Sequence, residues 1–299
     1  MTGLGTGASR PTRPPSVGTL PTEVDVVVVG AGGAGMTAAL AAGRCGLETV
    51  LVEKSPWFGG STARSGGGVW IPGNYALQAA GQVDGADEAA QARLYLDSIV
   101  GDDVPKVRRD TFLDRGPEVM DFLREHTPLR FAWVPEYADY HPEAPGGRLR
   151  GRSVEPVPMD ARSLGEELGR LHPAYTKAPA NLIVTQADYR KISLGLRSLR
   201  GPLTMLKVML NRLVSIVLRR KMYAMGNALS IGLRKGLMDA GVPVHYETEL
   251  TDLVIEDGRV VGVRVTQDGS ERVVRARRGV ILGSGGFERN LELREKYQP

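Results

Sequence analysis

The chain has 299 residues, 42% of them hydrophobic and 24% charged, the balance of a globular protein with room for one large domain or two ordinary ones. A net charge of +4 is small for this length, and no nucleic-acid-binding module accompanies it, so a nucleic-acid partner is excluded. One cysteine, Cys45, rules out an internal disulfide framework, and the four histidines (His126, His141, His172 and His245) show no metal-ligand spacing.

Met1 to Thr22 is rich in Gly, Pro and Thr and lacks the apolar core of a signal peptide, so it reads as a disordered arm ahead of a domain spanning 23–299. The β-branched run Val24 to Val29, broken only by Asp25, predicts a strand buried on both faces, as in a parallel sheet. It ends in Gly30-Ala31-Gly32-Gly33-Ala34-Gly35, where Gly30, Gly32 and Gly35 fill the pattern G-x-G-x-x-G. A helix over Gly33 to Arg44 follows, stopped by Gly46. In this arrangement Gly30 permits the turn, Gly32 lets the backbone approach a pyrophosphate, and Gly35 lets helix and strand pack closely. The free N–H groups of the helix N-terminus, around Gly33 and Ala34, favour an anion. Cys45 sits at the end of this helix among small apolar residues and is expected to be a buried, inert thiol, compatible with a cytoplasmic location.

A second strand, Thr49 to Val52, ends in Glu53, 18 residues past Gly35. A carboxylate there accepts hydrogen bonds from a ribose 2′-hydroxyl and repels a 2′-phosphate, which points to a dinucleotide other than NADP. Lys54 and a second loop follow, Phe58-Gly59-Gly60-Ser61-Thr62-Ala63-Arg64-Ser65-Gly66-Gly67-Gly68. Its backbone donors and hydroxyls suit a further set of contacts along a long cofactor such as FAD. Candidate contacts are therefore Gly30, Gly32, Gly33, Ala34, Gly35, Glu53 and Lys54, with Gly60, Ser61, Thr62, Ser65, Gly66 and Gly67.

Further along, Asp87 to Val100, Pro105 to Arg115 and Pro117 to His126 read as helices, the last two with Pro near their starts. Phe131 to Ser153 is irregular, rich in aromatics, Pro and Gly, and of a length that is usually functional or mobile. From Leu203 to Lys221, the residues Leu206, Met209, Leu210, Leu213 and Val217 share one helical face, with Lys207, Arg212, Arg219, Arg220 and Lys221 at its edges or end. Core packing is the first expectation for that face and contact with an anionic membrane surface the second; the stretch is too short and polar to span a bilayer. A helix from Gly226 to Ala240 leads into a strand, Val244 to Glu247. Leu253–Glu256, Arg259–Thr266 and Glu271–Ala276, separated by Asp257-Gly258 and Asp268-Gly269, form a β-meander. Val280 to Leu282 is a buried strand ending in Gly283-Ser284-Gly285-Gly286-Phe287, and no G-x-S-x-G nucleophile elbow occurs.

Glu53-Lys54 with Gly59-Gly60-Ser61-Thr62 resembles the flavoprotein family of fumarate reductases and succinate dehydrogenases. The longer string from Gly59 to Pro72 closely resembles the 3-ketosteroid Δ1-dehydrogenases, also called 3-oxosteroid 1-dehydrogenases, as do Asp139-Tyr140, Pro142 to Arg148 and Gly151-Arg152-Ser153. The resemblance runs from about Val24 to the last residue. It implies an α/β fold: a Rossmann-type FAD-binding domain with a parallel sheet, inserted helices and a β-meander. Its cofactor would be FAD, with further contacts at Val254, through its backbone to the adenine, and at Gly285 and Gly286. Family members are longer, continuing into a catalytic cap that is absent here, so the chain is expected to be an N-terminal part of such an enzyme and inactive alone. The implied reaction removes hydrogen across C1–C2 of a 3-ketosteroid or similar hydrophobic molecule. The principal base would lie outside this chain, and Tyr140 would be the catalytic candidate within it, with Tyr137 as a nearby competitor. A related flavoprotein reductase of another activated double bond, and a catalytically inactive FAD-binding fragment, remain open.

Overall fold

A computed structural model describes residues 18–83, 85–174, 182–288 and 290–298. In chain order the elements are β1 (Glu23–Val29), α1 (Gly33–Arg44), β2 (Thr49–Val52), α2 (Gly60–Arg64), β3 (Val69–Trp70), α3 (Tyr75–Ala79), α4 (Gly85–Val100), α5 (Lys106–His126), β4 (Phe131–Trp133), β5 (Ser153–Pro156) and β6 (Met159–Asp160). They continue as α6 (Gln186–Ser193), α7 (Arg200–Val217), β7 (Met222–Tyr223), α8 (Met225–Asp239), β8 (Val244–His245), β9 (Thr248–Glu256), β10 (Arg259–Gln267), β11 (Ser270–Leu282) and α9 (Leu291–Tyr297). The contacts divide the chain into two compact units, where the sequence suggested one domain. The first comprises Met1–Thr62, Gly169–Pro173 and Leu237–Pro299; the second comprises Ala63–Leu168 and Ala174–Gly236.

The first unit is built on a six-stranded sheet of order β8-β2-β1-β11-β10-β9. β8, β2, β1 and the second half of β11 run parallel, and β10 and β9 add antiparallel strands at one side. The valine run explains the centre: Val27 and Val28, pointing to opposite faces, are both fully buried, as are Val50, Leu51 and Val52 on β2. Val263, Val265 and Val274 of the meander pack into the same core as Val27 and Val29. Asp257-Gly258 and Asp268-Gly269 make the two hairpin turns, all four residues at positive φ as a type I′ turn demands. β11 joins what the sequence suggested were two strands: Gly262↔Arg275 to Gln267↔Ser270 pair antiparallel with β10, while Arg275, Ala276 and Gly279 to Leu282 pair parallel with β1. A register shift between Val24 and Val26 marks an irregularity within the β1–β11 pairing.

The expected arm over 1–22 lies outside the described residues up to position 17. Its end is tied down, since Leu20 packs on the sheet core and Thr22 O accepts the Arg275 N–H at 2.8 Å. Cys45 corrects an expectation: it forms the C-cap of α1 and is exposed, because the helix has already turned its buried face past Ala42.

The second unit holds a three-stranded sheet, β3-β5-β4, the β6-β7 pair and the helices α3 to α7, with most of α8. α5 is one helix, not two: Pro117 lies inside it. Arg93 bridges to Asp110 and Asp114, and Arg109 to Asp97, which ties α5 along α4 despite the missing amide donor. α7 overturns the core-packing expectation. It buries Gly201, Thr204, Val208 and Ser215 and leaves Leu206, Met209, Leu210, Leu213 and Val217 each more than half exposed. Small residues on the buried face permit the close approach: a Cβ on Gly201 would lie 2.5 Å from Gly195 O.

Candidate functional site

In the first unit, the turn after β1 is shaped by contacts that only glycine allows. Gly30 has φ +99°, and a Cβ there would lie 2.5 Å from Gly283 O. A Cβ on Gly35 would lie 1.8 Å from Gly30 O, so the first turn of α1 rests directly on the loop. Gly32 differs: a Cβ would meet nothing within 4 Å. Its hydrogen therefore faces open space at the N-cap of α1, where no side chain caps the helix and no acid occupies the first turn.

The donors of that helix end are partly assigned. Ala31 N–H donates to Glu53 Oε2 at 2.7 Å, and Gly33 N–H to Thr62 Oγ1 at 3.1 Å. The N–H groups of Ala34 and Gly35 have no acceptor among the described residues. They add the positive end of a 12-residue helix dipole to an open backbone surface. Gly60, at φ +48°, sits beside Gly32, 3.5 Å from its Cα to an ideal Cβ. The stretch read as a second loop is thus a short helix, α2, whose Thr62 reaches back to the first.

Glu53 follows β2 and is held from both sides. Its Oε1 accepts the Ser55 N–H at 2.8 Å, its own N–H donates to His245 O at 2.8 Å, and its carbonyl accepts the Thr248 N–H at 2.9 Å. Each carboxylate oxygen keeps a lone pair beyond the backbone donor it already accepts. Lys54 is exposed next to it. Gly283 N–H donates to Val29 O at 2.8 Å, bringing the end of β11 and its following Gly285 and Gly286 to the same end of β1 as Gly30. Ser61 Oγ donates to Glu288 at 3.2 Å.

Val254 is not brought into this group. It lies opposite Gly262, which lies opposite Arg275 and hence in the row of Glu23, at the opposite end of β1 from Gly30. It stands six residues along β9 from Thr248, about 20 Å at the rise of a strand. The residue of β9 that borders Glu53 is Thr248, at the start of that strand.

Ser65, Gly66 and Gly67 belong to the second unit and are packed against it. Ser65 O accepts the Gly226 N–H at 3.1 Å, Gly66 O accepts Gln186 Nε2–H at 2.8 Å, and a Cβ on Gly67 would lie 2.5 Å from Met225 C.

Tyr140 lies in the irregular stretch of the second unit and is 86% exposed. The stretch itself is fixed by a buried ion set that sequence reading missed. Arg152 donates to Glu88 Oε1 at 2.6 Å and to Asp139 Oδ2 at 2.5 Å, all three side chains being at most 1% exposed. Asp139 Oδ1 also accepts the Trp70 indole N–H at 2.8 Å, and Asp139 Oδ2 accepts the Arg148 N–H at 3.2 Å. Arg148 Nη1 completes the set 2.6 Å from Glu88 Oε2. Gly146, Gly147 and Gly151 are needed for the tight course of the chain: a Cβ on any of them would meet backbone oxygen or nitrogen at 2.3–2.5 Å. Tyr140 therefore projects from a rigid base one residue past Asp139. Burial, and next to it the neighbouring Tyr140, push the Tyr137 phenol above its ordinary range.

Comparison with known proteins agrees with this geometry. The family described as FAD binding domain matches residues 25–299. The 3-oxosteroid 1-dehydrogenase of Mycolicibacterium smegmatis is 53% identical over 92% of this chain and 49% of its own length. The 4-oxocyclohex-2-ene-1-carboxylate 5-dehydrogenase of Sinomonas cyclohexanicum is 35% identical over 92% of this chain and 46% of its own. Among solved structures, the 3-ketosteroid Δ1-dehydrogenase of Sterolibacterium denitrificans, in complex with 1,4-androstadiene-3,17-dione, superposes with a TM-score of 0.85 at 32% identity, over 93% of this chain and 50% of that one. The chain thus spans about half the length of the relatives it matches.

Proposed function

The chain belongs to the FAD binding domain family, and on that premise we propose that it is the cofactor-holding part of a longer enzyme that dehydrogenates C1–C2 of a 3-ketosteroid. The carrying observation is the likeness to a 3-oxosteroid 1-dehydrogenase at more than half identity across nearly the whole chain. FAD is the cofactor, and the residues present fit it: an open helix N-terminus with two N–H groups unpaired among the described residues stands beside a carboxylate with lone pairs to spare. Gly30 to Gly35 and Thr62 would hold the pyrophosphate end and Glu53 a ribose hydroxyl, with Gly60, Ser61, Gly285 and Gly286 near the same end of the sheet. Bound there, FAD supplies a two-electron acceptor.

Introducing the C1–C2 double bond removes a hydride from C1 and a proton from C2, the latter made acidic by polarising the 3-carbonyl. This chain's contribution on the proton side is Tyr140, with Tyr137 as its neighbour and Asp139 fixing the loop beneath it. The principal base and the carbonyl-binding groups lie outside these residues.

A second reading, desaturation beside the ketone of a smaller ring acid, is favoured by the Sinomonas relative but at much lower identity. Anaerobic mixing of the full-length flavoprotein with 4-androstene-3,17-dione or with 4-oxocyclohex-2-ene-1-carboxylate separates the two. Fast flavin bleaching by the steroid alone is the expected result; bleaching by the ring acid alone would replace the steroid reading, and bleaching by neither would defeat both.

A further inference from the structure

His245 is the one histidine of the four that the structure buries, at 4% exposure, and its ring meets no hydrogen-bond partner among the described residues. The other three have neighbours: His141 meets Glu143 at 3.3 Å, His172 meets the Pro173 carbonyl at 3.1 Å, and His126 lies 4.0 Å from Glu125. Buried polar side chains are bonded as a rule, so an unassigned one calls for a partner. Burial holds the His245 imidazole below its ordinary range, which leaves it neutral at neutral pH, with one nitrogen to donate and one to accept.

The ring borders a cavity of about 410 Å³ that lies within the first unit. The register Val52↔His245 puts the ring on the same face of the sheet as Val50, which also lines the cavity. Gly18, Thr19 and Pro21 form another wall, held in place by Leu20 on the sheet core and by the Thr22 carbonyl on the Arg275 N–H. The cavity reaches the starts of β1 and β2, at Val24 and Thr49, whereas Gly30 and Glu53 follow the ends of those strands. It is therefore distinct from the cofactor site. His245 borders both, since its carbonyl accepts the Glu53 N–H at 2.8 Å while its ring faces the cavity.

The lining sets the chemistry of an occupant. Among the described residues that line the cavity there is no Lys or Arg, so nothing there balances an anion. Its acid, Glu48, is exposed and bound by Arg277 at 2.7 Å, so it does not offer a free charge to a cation. Leu47, Val50, Val242 and Pro243 supply apolar walls, and the Thr49 hydroxyl already donates to Leu47 O at 2.9 Å. A pocket of this volume, with apolar walls and one converging polar group, is the common form of a small-molecule site. We propose that the cavity binds an uncharged, largely apolar small molecule through a carbonyl or hydroxyl group hydrogen-bonded to the His245 ring. The proposal does not rest on the steroid reading, because the cavity lies away from the residues that would hold the cofactor.

The test is photolabelling of the full-length flavoprotein with benzophenone, which is uncharged, apolar apart from one carbonyl, and couples under ultraviolet light to C–H bonds within its reach. Peptide mass spectrometry locates the label, and saturable labelling within residues 18–24, 47–50 or 240–245 is expected. His245→Phe keeps a ring but no nitrogen and should reduce that labelling roughly tenfold below saturation, while His245→Gln restores a donor and an acceptor and should recover most of it. 4-Benzoylbenzoate, the same molecule with a carboxylate, should label these segments roughly tenfold less. The parent's labelling and its preference for the uncharged probe need no substitution, so they decide the matter even where His245→Phe folds poorly. Absence of saturable labelling in these segments, or equal labelling by the carboxylate, overturns the proposal. So does undiminished labelling of His245→Phe, or equal loss from His245→Gln, at parental FAD content.

Discussion

Glu88 and Arg152 meet as a fully buried ion pair, Oε1 to Nε at 2.6 Å, from α4 and from the stretch before β5, 64 residues apart in sequence. Asp139 takes the other side of the same guanidinium. An arginine bound to two carboxylates at such burial is costly to break, because removing it leaves negative charge with little compensation. Arg152→Met should therefore destabilise the second unit by about 3–5 kcal/mol, read as a lower urea midpoint. A midpoint within error of the parent would show that water or Arg148 replaces the lost cation, and that the loop carrying Tyr140 does not depend on this pair.

The glycine loop makes a sharper prediction, since two of its glycines serve different ends. Gly35→Ala puts a methyl 1.8 Å from Gly30 O, so the first turn of α1 must move off the loop. Its melting temperature should fall even with FAD removed, corresponding to about 1–3 kcal/mol or more. Gly32→Ala meets no protein atom within 4 Å and should cost the apoprotein less than about 1 kcal/mol while sharply weakening FAD. Melting curves of the apoprotein and FAD titrations of both variants decide this. Equal loss of apoprotein stability in the two would remove the distinction between a packing glycine and a ligand-facing one.

Glu53 couples the loop to the cofactor. Glu53→Arg removes the acceptor for Ala31 N–H as well as the one proposed for a ribose hydroxyl, and places a cation among three strand ends. FAD affinity should fall by about 2–4 kcal/mol, the worth of two charge-assisted hydrogen bonds. Fluorescence titration with FAD measures it; unchanged affinity would mean that the carboxylate serves the loop alone.

These residues divide by how far their partners lie along the chain. The strand from Val24, the turn at Gly30, α1, β2 and Glu53 follow one another within thirty residues, and each carries its reason in its own side chain or lack of one. Asp257-Gly258 and Asp268-Gly269 are equally local, and both turns are where the dipeptides place them. The Glu88–Arg152–Asp139 set is not local, and no pattern of spacing announces it. α7 shows another limit: periodicity at 3.6 residues reveals an apolar face, but only the packing of Gly201 and Thr204 against their neighbours shows that this face is the outer one. Val254, implied by the resemblance, stands six residues along β9 from Thr248, a distance set by the pairing of the meander and not by the strand's own residues.

Tyr140 carries the remaining prediction. Its side chain is 86% exposed, so replacing the hydroxyl leaves the packing around it intact, while Asp139 and Arg152 continue to hold the loop. In the full-length enzyme Tyr140→Phe should retain FAD and fold but slow steroid-dependent flavin reduction by roughly 10²–10⁴-fold, the range for loss of a proton-transfer group. Tyr137→Phe removes the neighbouring hydroxyl and should slow the step less, because Tyr140 keeps its own. Anaerobic stopped-flow reduction by a 3-ketosteroid follows this step directly. A parental rate in Tyr140→Phe with normal flavin content would exclude the hydroxyl from the mechanism. Residues 1–299 by themselves should give no turnover in the same assay, because the principal base is proposed to lie elsewhere in the protein. Substantial turnover by that chain would place a sufficient base within it, and Tyr140 and Tyr137 would then be the first residues to replace together.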